Sequence, residues 1–229
     1  MGELKAIWDG LDWSVLTGML FSIIPALLCI VIHEMSHGFA AYLLGDATAK
    51  SQGRLSFNPL RHIDPFGLLM LVVFRFGWAK PVSVDMRNFK NPKRGMAFTA
   101  LTGPLSNLLL AVFLMAVYGF FWKPLINAGE TGAEIISLLV TTTYLSLGLG
   151  VFNMLPAPPL DGSKVLFAIL PNELYYKLMR YERYGMIVLF VLMASGFLSR
   201  PLGIASEFAF EFIFNYIAVP MSDLAGHFF

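Results

Sequence analysis

Apolar positions run almost unbroken over residues 14–45, 96–122 and 134–157, and again over 184–199 and 202–220. Each of the first three is long enough for the roughly 20 residues that a ~30 Å hydrocarbon core demands of a helix. The pattern predicts an α-helical polytopic membrane protein with about five transmembrane helices. The last run contains Glu207 and Glu211, four residues apart and so on one helical face. Two carboxylates facing lipid are costly, so this helix is expected to line a protein interior or to lie in the interface. Another run, Phe66 to Trp78, has only 13 residues and contains Arg75. It is short for a span and is expected to fold back as a re-entrant loop.

Positive charge decides between folding back and crossing. If Phe66 to Trp78 returns to the side it left, segments 46–95 and 158–183 share one face and hold 9 and 4 of the 16 lysines and arginines. Only Lys5, Lys123 and Arg200 remain on the other face. That bias places both basic loops in the cytoplasm and the amino terminus outside. A crossing would instead separate Lys50, Arg54 and Arg61 from the cluster between Lys80 and Arg94.

Composition agrees with the pattern. The chain is 57% apolar and 14% charged, against roughly 45–50% and about 25% in soluble domains. A net charge of +1 supplies no basic footprint for nucleic acid, which is excluded as a partner. The single Cys29 cannot form an internal disulfide and follows Leu27-Leu28 rather than the small residue of a lipoprotein site, so it is read as a packing residue. Residues 1–12 carry Lys5 against Glu3, Asp9 and Asp12, and no small-residue cleavage pattern follows, so the first apolar run is expected to stay as a span. No repeat interrupts the chain, and 1–229 reads as a single membrane domain.

Ionisable groups inside a span mark function by default. The first run contains His33-Glu34-Met35-Ser36-His37, the H-E-x-x-H pattern. Two histidines four apart share a helical face and can both reach a zinc ion, with the glutamate beside it as a base. Structural glue between helices is the blander use of such groups, but three in this register ask for more. Counted from Val15, about 20 residues of apolar helix end near Glu34, so the motif lies near the cytoplasmic boundary, where water is at hand.

A catalytic zinc usually takes three protein ligands and leaves a fourth position for water. The extension H-E-x-x-H-x-x-G-x-x-H fails, because Ala40 and Leu43 stand where its Gly and His belong. No glutamate occurs between Glu34 and Glu130. Asp46 and Asp64 lie in the following loop, and Asp46 after Gly45 reads as a turn or cap residue. Asp161 is the better candidate. It ends the string from Asn153 through Pro156, Pro158 and Pro159, at the same side of the membrane as the end of the first span. Such a run of prolines cannot continue an ordinary helix, and broken backbone at membrane depth is tolerated where it is buried in protein or lines a wet cavity.

With both strings in view, the chain resembles the site-2 protease family of intramembrane zinc metalloproteases. His33-Glu34-Met35-Ser36-His37 and the N-x-x-P-x-P-x-L-D-G-type string from Asn153 to Gly162 match that family's two signatures in order and spacing. Gly103-Pro104-Leu105-Ser106-Asn107, and Phe57-Asn58-Pro59 through Asp64-Pro65-Phe66-Gly67, are similar to its small bacterial and archaeal members. The resemblance spans residues 20 to about 170 and implies a catalytic core over about 14–170, with additional helices over 171–229. It also implies that Phe66 to Val84 forms a membrane-associated β-rich loop, and that the site faces the cytoplasm of a bacterial or archaeal cell membrane.

The implied reaction is hydrolysis of a peptide bond in or near a transmembrane segment of a protein or peptide substrate, as in regulated intramembrane proteolysis. His33, His37 and Asp161 would hold Zn2+, Glu34 would be the base, and Asn153 and, more weakly, Asn107 would contact the substrate. No segment can hold the periplasmic PDZ domain of many bacterial relatives, so selection falls to the membrane domain, its loops or a membrane regulatory partner. A metal transporter would need polar groups along several spans, yet the second and third clear spans have no charged side chain in their apolar cores. A catalytically silent scaffold would be expected to have lost Glu34 or a ligand, and none is missing.

Overall fold

The computed structural model describes residues 13–67 and 79–228. A long helix α1 (Trp13–Leu43) is followed by the single turn α2 (Thr48–Ser51) and two 3-10 turns, Pro59–Arg61 and Met86–Asn88. Then come α3 (Pro92–Asn127), α4 (Gly129–Asn153), the short α5 (Asp161–Phe167) and α6 (Asn172–Ala194). The chain closes with α7 (Ser199–Ile213), a π-helical turn (Phe214–Ala218) and α8 (Val219–Ala225).

Local chemistry explains where the central helices start and stop. Pro92 occupies the first turn of α3, where its missing N–H costs nothing, and the Asn91 side chain accepts from Arg94 N at 3.2 Å. Ala128 alone joins α3 to α4, with Gly129 at a φ of +64° turning the chain back. Pro156, Pro158 and Pro159 keep the helix from continuing beyond Asn153, and it resumes only at Asp161.

Among the described residues four stretches are long and apolar enough to cross a membrane: Ile23–Leu43, Pro92–Asn127, Gly129–Asn153 and Ser199–Ala225. The polytopic helical class is as the sequence predicts, but the span expected over 184–199 is not among them. Its helix, α6, opens with Glu173, Lys177, Arg180 and Glu182, and the apolar remainder, Tyr184–Ala194, is shorter than a span. Glu207 and Glu211 are exposed on α7, so among the described residues the expectation of a protein-lined interior is not met. The amino-terminal expectation for residues 1–12 and most of the loop expected over Phe66 to Trp78 lie outside the described residues.

The rims of that loop are described. Ile63 and Ala79 form an antiparallel bridge, and Lys80 N donates to His62 O at 2.8 Å. A chain that leaves at Ile63 therefore comes back to the same place at Ala79. No β-strand forms among the described residues.

Helix α3 is the hub, packing against α1, α4, α5 and α8. The dry centre joins Ala111 and Met115 of α3 to Leu147 of α4, Ile213 of α7 and Ala218 of the π-turn. The outward faces stay apolar, with Leu109 and Phe113 of α3 exposed at 68% and 63%. In water such a surface would be an aggregation patch; against lipid it is the ordinary solvent-facing side of a span. Cys29 is buried against α4, its Sγ 3.6 Å from Thr142 O, which fits its reading as a packing residue.

Candidate metal centre

Two helical faces meet at the site in matched register. His33 and His37 stand one turn apart on α1, and Thr99, Gly103 and Asn107 follow at intervals of four along α3. The Thr99 carbonyl lies 2.7 Å from His37 Nδ1, and the Asn107 amide lies 3.2 Å from His33 Nδ1. Between them Gly103 faces both rings. A Cβ there would stand 2.4 Å from His37 Nε2 and 2.6 Å from His33 Cε1, so only glycine lets α3 close on the histidines.

From the other side the proline break delivers Asp161. His33 Nε2 and His37 Nε2 are 3.0 Å apart, and each is 3.1 Å from Asp161 Oδ2. All three residues are buried. Gly162 presses on the end of α4, where a Cβ would meet Met154 O at 2.2 Å, and Ser163 Oγ donates to Leu160 O at 2.7 Å. The aspartate thus sits on a turn clamped at both ends. Lys164 Nζ lies 3.9 Å from the other carboxylate oxygen and 4.0 Å from Glu182 Oε1, tying Asp161 to α6.

The donor set fits a metal ion. A carbonyl oxygen can only accept, so the Thr99 contact puts a proton on His37 Nδ1 and leaves the neutral ring a lone pair at Nε2. That lone pair points at Asp161 Oδ2, also an acceptor, at 3.1 Å. Two buried acceptors this close repel unless a proton or a metal cation lies between them. A tetrahedral zinc, with bonds of about 2.0–2.2 Å, spaces its ligand atoms roughly 3.3–3.6 Å apart. The triangle needs to open only slightly to meet that spacing.

Glu34 is turned about 100° from His33 and about 60° from His37 around α1. It is half-buried, and its Oε2 accepts from Val82 N at 2.8 Å. One turn on, Gly38 would with a Cβ meet Leu55 Cδ2 at 2.8 Å and Val82 Cγ1 at 3.2 Å, so the loop closes on α1 where a side chain is missing. We call the extended segment 79–85 the strap. Its far end is held by Asp46, fully buried, which accepts from Asp85 N at 2.7 Å, Asn88 Nδ2 at 2.8 Å and Thr48 N at 3.0 Å. Burial pushes the Asp46 carboxyl up, but these bonds and that of the Thr48 hydroxyl outweigh it and hold it below the ordinary aspartate value. Asp46 is therefore a cap, as its place after Gly45 suggests, and it is not among the grouped donors.

The remaining sequence candidates fall elsewhere. Asn153, at the end of α4, turns its amide back to Leu149 O at 3.0 Å and is half-buried. Asn107 is fully buried, its amide 3.2 Å from His33 Nδ1. Sequence reasoning missed Thr99 and the strap; Gly103 entered only as part of the string that carries the resemblance, and Asp46 only as a turn or cap residue. Thr99, Gly103 and Asn107 recur at intervals of four, but which helix they meet has no signature in the sequence, and neither has the strap contact, which is made by a backbone N–H. An apolar cavity of about 370 Å³ opens between α3 and α4, lined by Pro104, Leu108, Gly150, Met154 and Leu155 and reaching Ala209 of α7.

Comparison with known proteins bears on this geometry. Residues 123–198, which include the Asn153–Gly162 string, match the model of peptidase family M50. Over 189 residues the chain is 38% identical to YwhC of Bacillus subtilis (strain 168), described as a zinc metalloprotease, with 81% of this chain and 83% of that protein covered. Rip2 of Mycolicibacterium smegmatis, described likewise, is 30% identical over 76% of this chain and 66% of its own length. A zinc metalloprotease of Methanocaldococcus jannaschii is 27% identical over 76% of this chain but only 39% of its own length. No solved structure matches.

Proposed function

The chain belongs to the site-2 protease family, peptidase family M50, and is an integral membrane zinc metalloprotease; from that premise we propose that it hydrolyses peptide bonds in or near transmembrane segments of other proteins. One observation carries the assignment of the site: the convergence of His33 Nε2, His37 Nε2 and Asp161 Oδ2 at 3.0–3.1 Å inside the helical bundle. These three would hold the zinc. When bound, it supplies a Lewis acid that lowers the pKa of a coordinated water toward ~7 and polarises the scissile carbonyl.

The chain's own residues do the rest. Thr99 O and the Asn107 side chain hold the two imidazoles from behind, so that both Nε2 atoms face Asp161. Glu34 Oε takes the proton from the attacking water and passes it to the nitrogen of the leaving amine as the C–N bond breaks. To do so its carboxylate gives up the Val82 N–H, and the strap is displaced or shifted when substrate enters. An α-helix hides its carbonyls in i to i−4 hydrogen bonds, so the substrate is cut where it unwinds. The strap backbone and the half-buried Asn153 amide then offer hydrogen bonds to an extended peptide. The apolar cavity beside Pro104 and Gly150 suits the substrate's helical remainder.

Purified protein in detergent, loaded with zinc and given a model transmembrane substrate, tests this. Glu34→Gln is expected to keep its zinc and lose cleavage by 10²-fold or more, on the order of what a positioned general base contributes. Full activity with zinc present defeats the mechanism.

The site is proposed to face the cytoplasm. Thirteen of the sixteen basic residues share that face if Phe66 to Trp78 does not cross, and the Ile63–Ala79 bridge supports a returning loop. Cysteines placed at Ser51 and Asn91 in a Cys29→Ser background are both expected to react with an impermeant thiol reagent from the cytoplasmic side alone. Labelling of the two from opposite sides refutes it.

A further inference from the structure

Two polar side chains around the metal centre, Thr99 and Asn107, each have a buried atom without a partner among the described residues, and of the two only Asn107 has its side chain against a ligand ring. Asn107 is fully buried; among the described residues its side-chain amide meets one group, His33 Nδ1 at 3.2 Å, and its Oδ1 has no partner. An amide this deep, half satisfied, is expensive, and a leucine of similar size would pack without the penalty. The position is also rigid. Ser146 Oγ of α4 donates to Asn107 O at 2.8 Å.

We propose that Asn107 is a positioning residue that sets the tautomer of His33, and that it can do so because an amide has both a donor end and an acceptor end. This rests on the reading of His33 as a zinc ligand.

The two histidines are held from behind by different groups. His37 Nδ1 faces the Thr99 carbonyl, a fixed acceptor, so its ring is always presented with the lone pair forward. His33 Nδ1 faces an amide that can turn over. With the Asn107 NH2 toward His33, Nδ1 accepts, and the ring proton sits at Nε2, where it is donated to Asp161 Oδ2 at 3.1 Å. With the amide turned, Oδ1 accepts from Nδ1–H, and Nε2 is free to bind a metal. One residue thus serves both the empty and the loaded centre, at the cost of one unpaired end in each. An aspartate would serve only the loaded form, and a leucine neither.

The test measures zinc affinity by competition with a chelator, without reference to cleavage. Asn107→Leu is expected to bind zinc roughly 10- to 100-fold more weakly, the usual effect of losing a hydrogen-bond partner behind a ligand histidine. Asn107→Asp, which keeps the acceptor, is expected to bind at least as tightly as the parent. A merely structural role would not rank the two in this way, since the buried charge of aspartate is the worse fit for packing.

Because either variant can fold poorly, the unaltered protein is examined as well by ¹⁵N histidine spectroscopy. His33 is expected as the Nε2–H tautomer when empty and as Nδ1–H, with a slowly exchanging proton, when loaded with zinc. Parent-like affinity in Asn107→Leu, equal losses in both variants, or one unchanged His33 tautomer in the two states overturns the proposal. If His33→Ala itself retains zinc at parent affinity, the zinc-site reading has failed instead.

Discussion

The two sides of α1 solve opposite problems with residues one position apart. His33 and His37 face other helices, and each imidazole has a partner behind it and Asp161 in front. Glu34 and Gly38 face a loop, and among the described residues the glutamate's hydrogen bond is with one backbone N–H from the strap. Metal ligands must be held to within a fraction of an ångström, which helices packed through Gly103 provide. A base that must meet water and an incoming peptide needs a neighbour that can leave, and a loop pinned at its end by Asp46 provides that. Rigidity on one side and release on the other are thus separated by the rotation of one helical residue.

Breaking the helix-borne side gives the largest expected effect. Structural zinc sites bind with about 10–16 kcal/mol, or roughly 3 kcal/mol per ligand, so Asp161→Ala is expected to weaken zinc binding on the order of 100-fold and to abolish cleavage. Asp46→Ala leaves the donors in place and is expected to keep its zinc. It removes the acceptor of four hydrogen bonds at the strap's anchor, and turnover is expected to fall about tenfold, in line with the 1–3 kcal/mol of stranding buried donors. Metal analysis beside kinetics reads both. If Asp46→Ala is the change that empties the site, the separation drawn between the two sides is wrong.

Acid sharpens the contrast with the smallest effect. The folded Asp46 carboxyl lies below its ordinary value, so its contribution is complete above the unfolded value of about 3.9 and is lost as pH falls through the folded one. Hydrogen exchange across residues 79–88 is expected to rise below about pH 4, and Asp46→Asn is expected to remove most of that pH dependence. Exchange that rises equally in the variant assigns the anchoring to another group.

What could be read from the chain in advance follows from interactions close in sequence. Hydropathy located the long helices because a bilayer imposes a length, and it miscounted at 184–199 because a charged first half, Glu173 to Glu182, leaves α6 with too short an apolar remainder. The pair His33 and His37 was legible because a helix turns every 3.6 residues, and Asp161 because prolines must break one. The fit of α3 onto the histidines was not. Thr99 acts through a carbonyl that every residue possesses, Gly103 by an absence, and Val82 through an N–H, none of which distinguishes one sequence from another. Residue type and spacing determined which groups could bind a metal and move a proton. Only the packing of α1 against α3, α5 and the strap decided which backbone groups stand behind them, because a hydrogen bond between elements depends on where two chain segments meet in space.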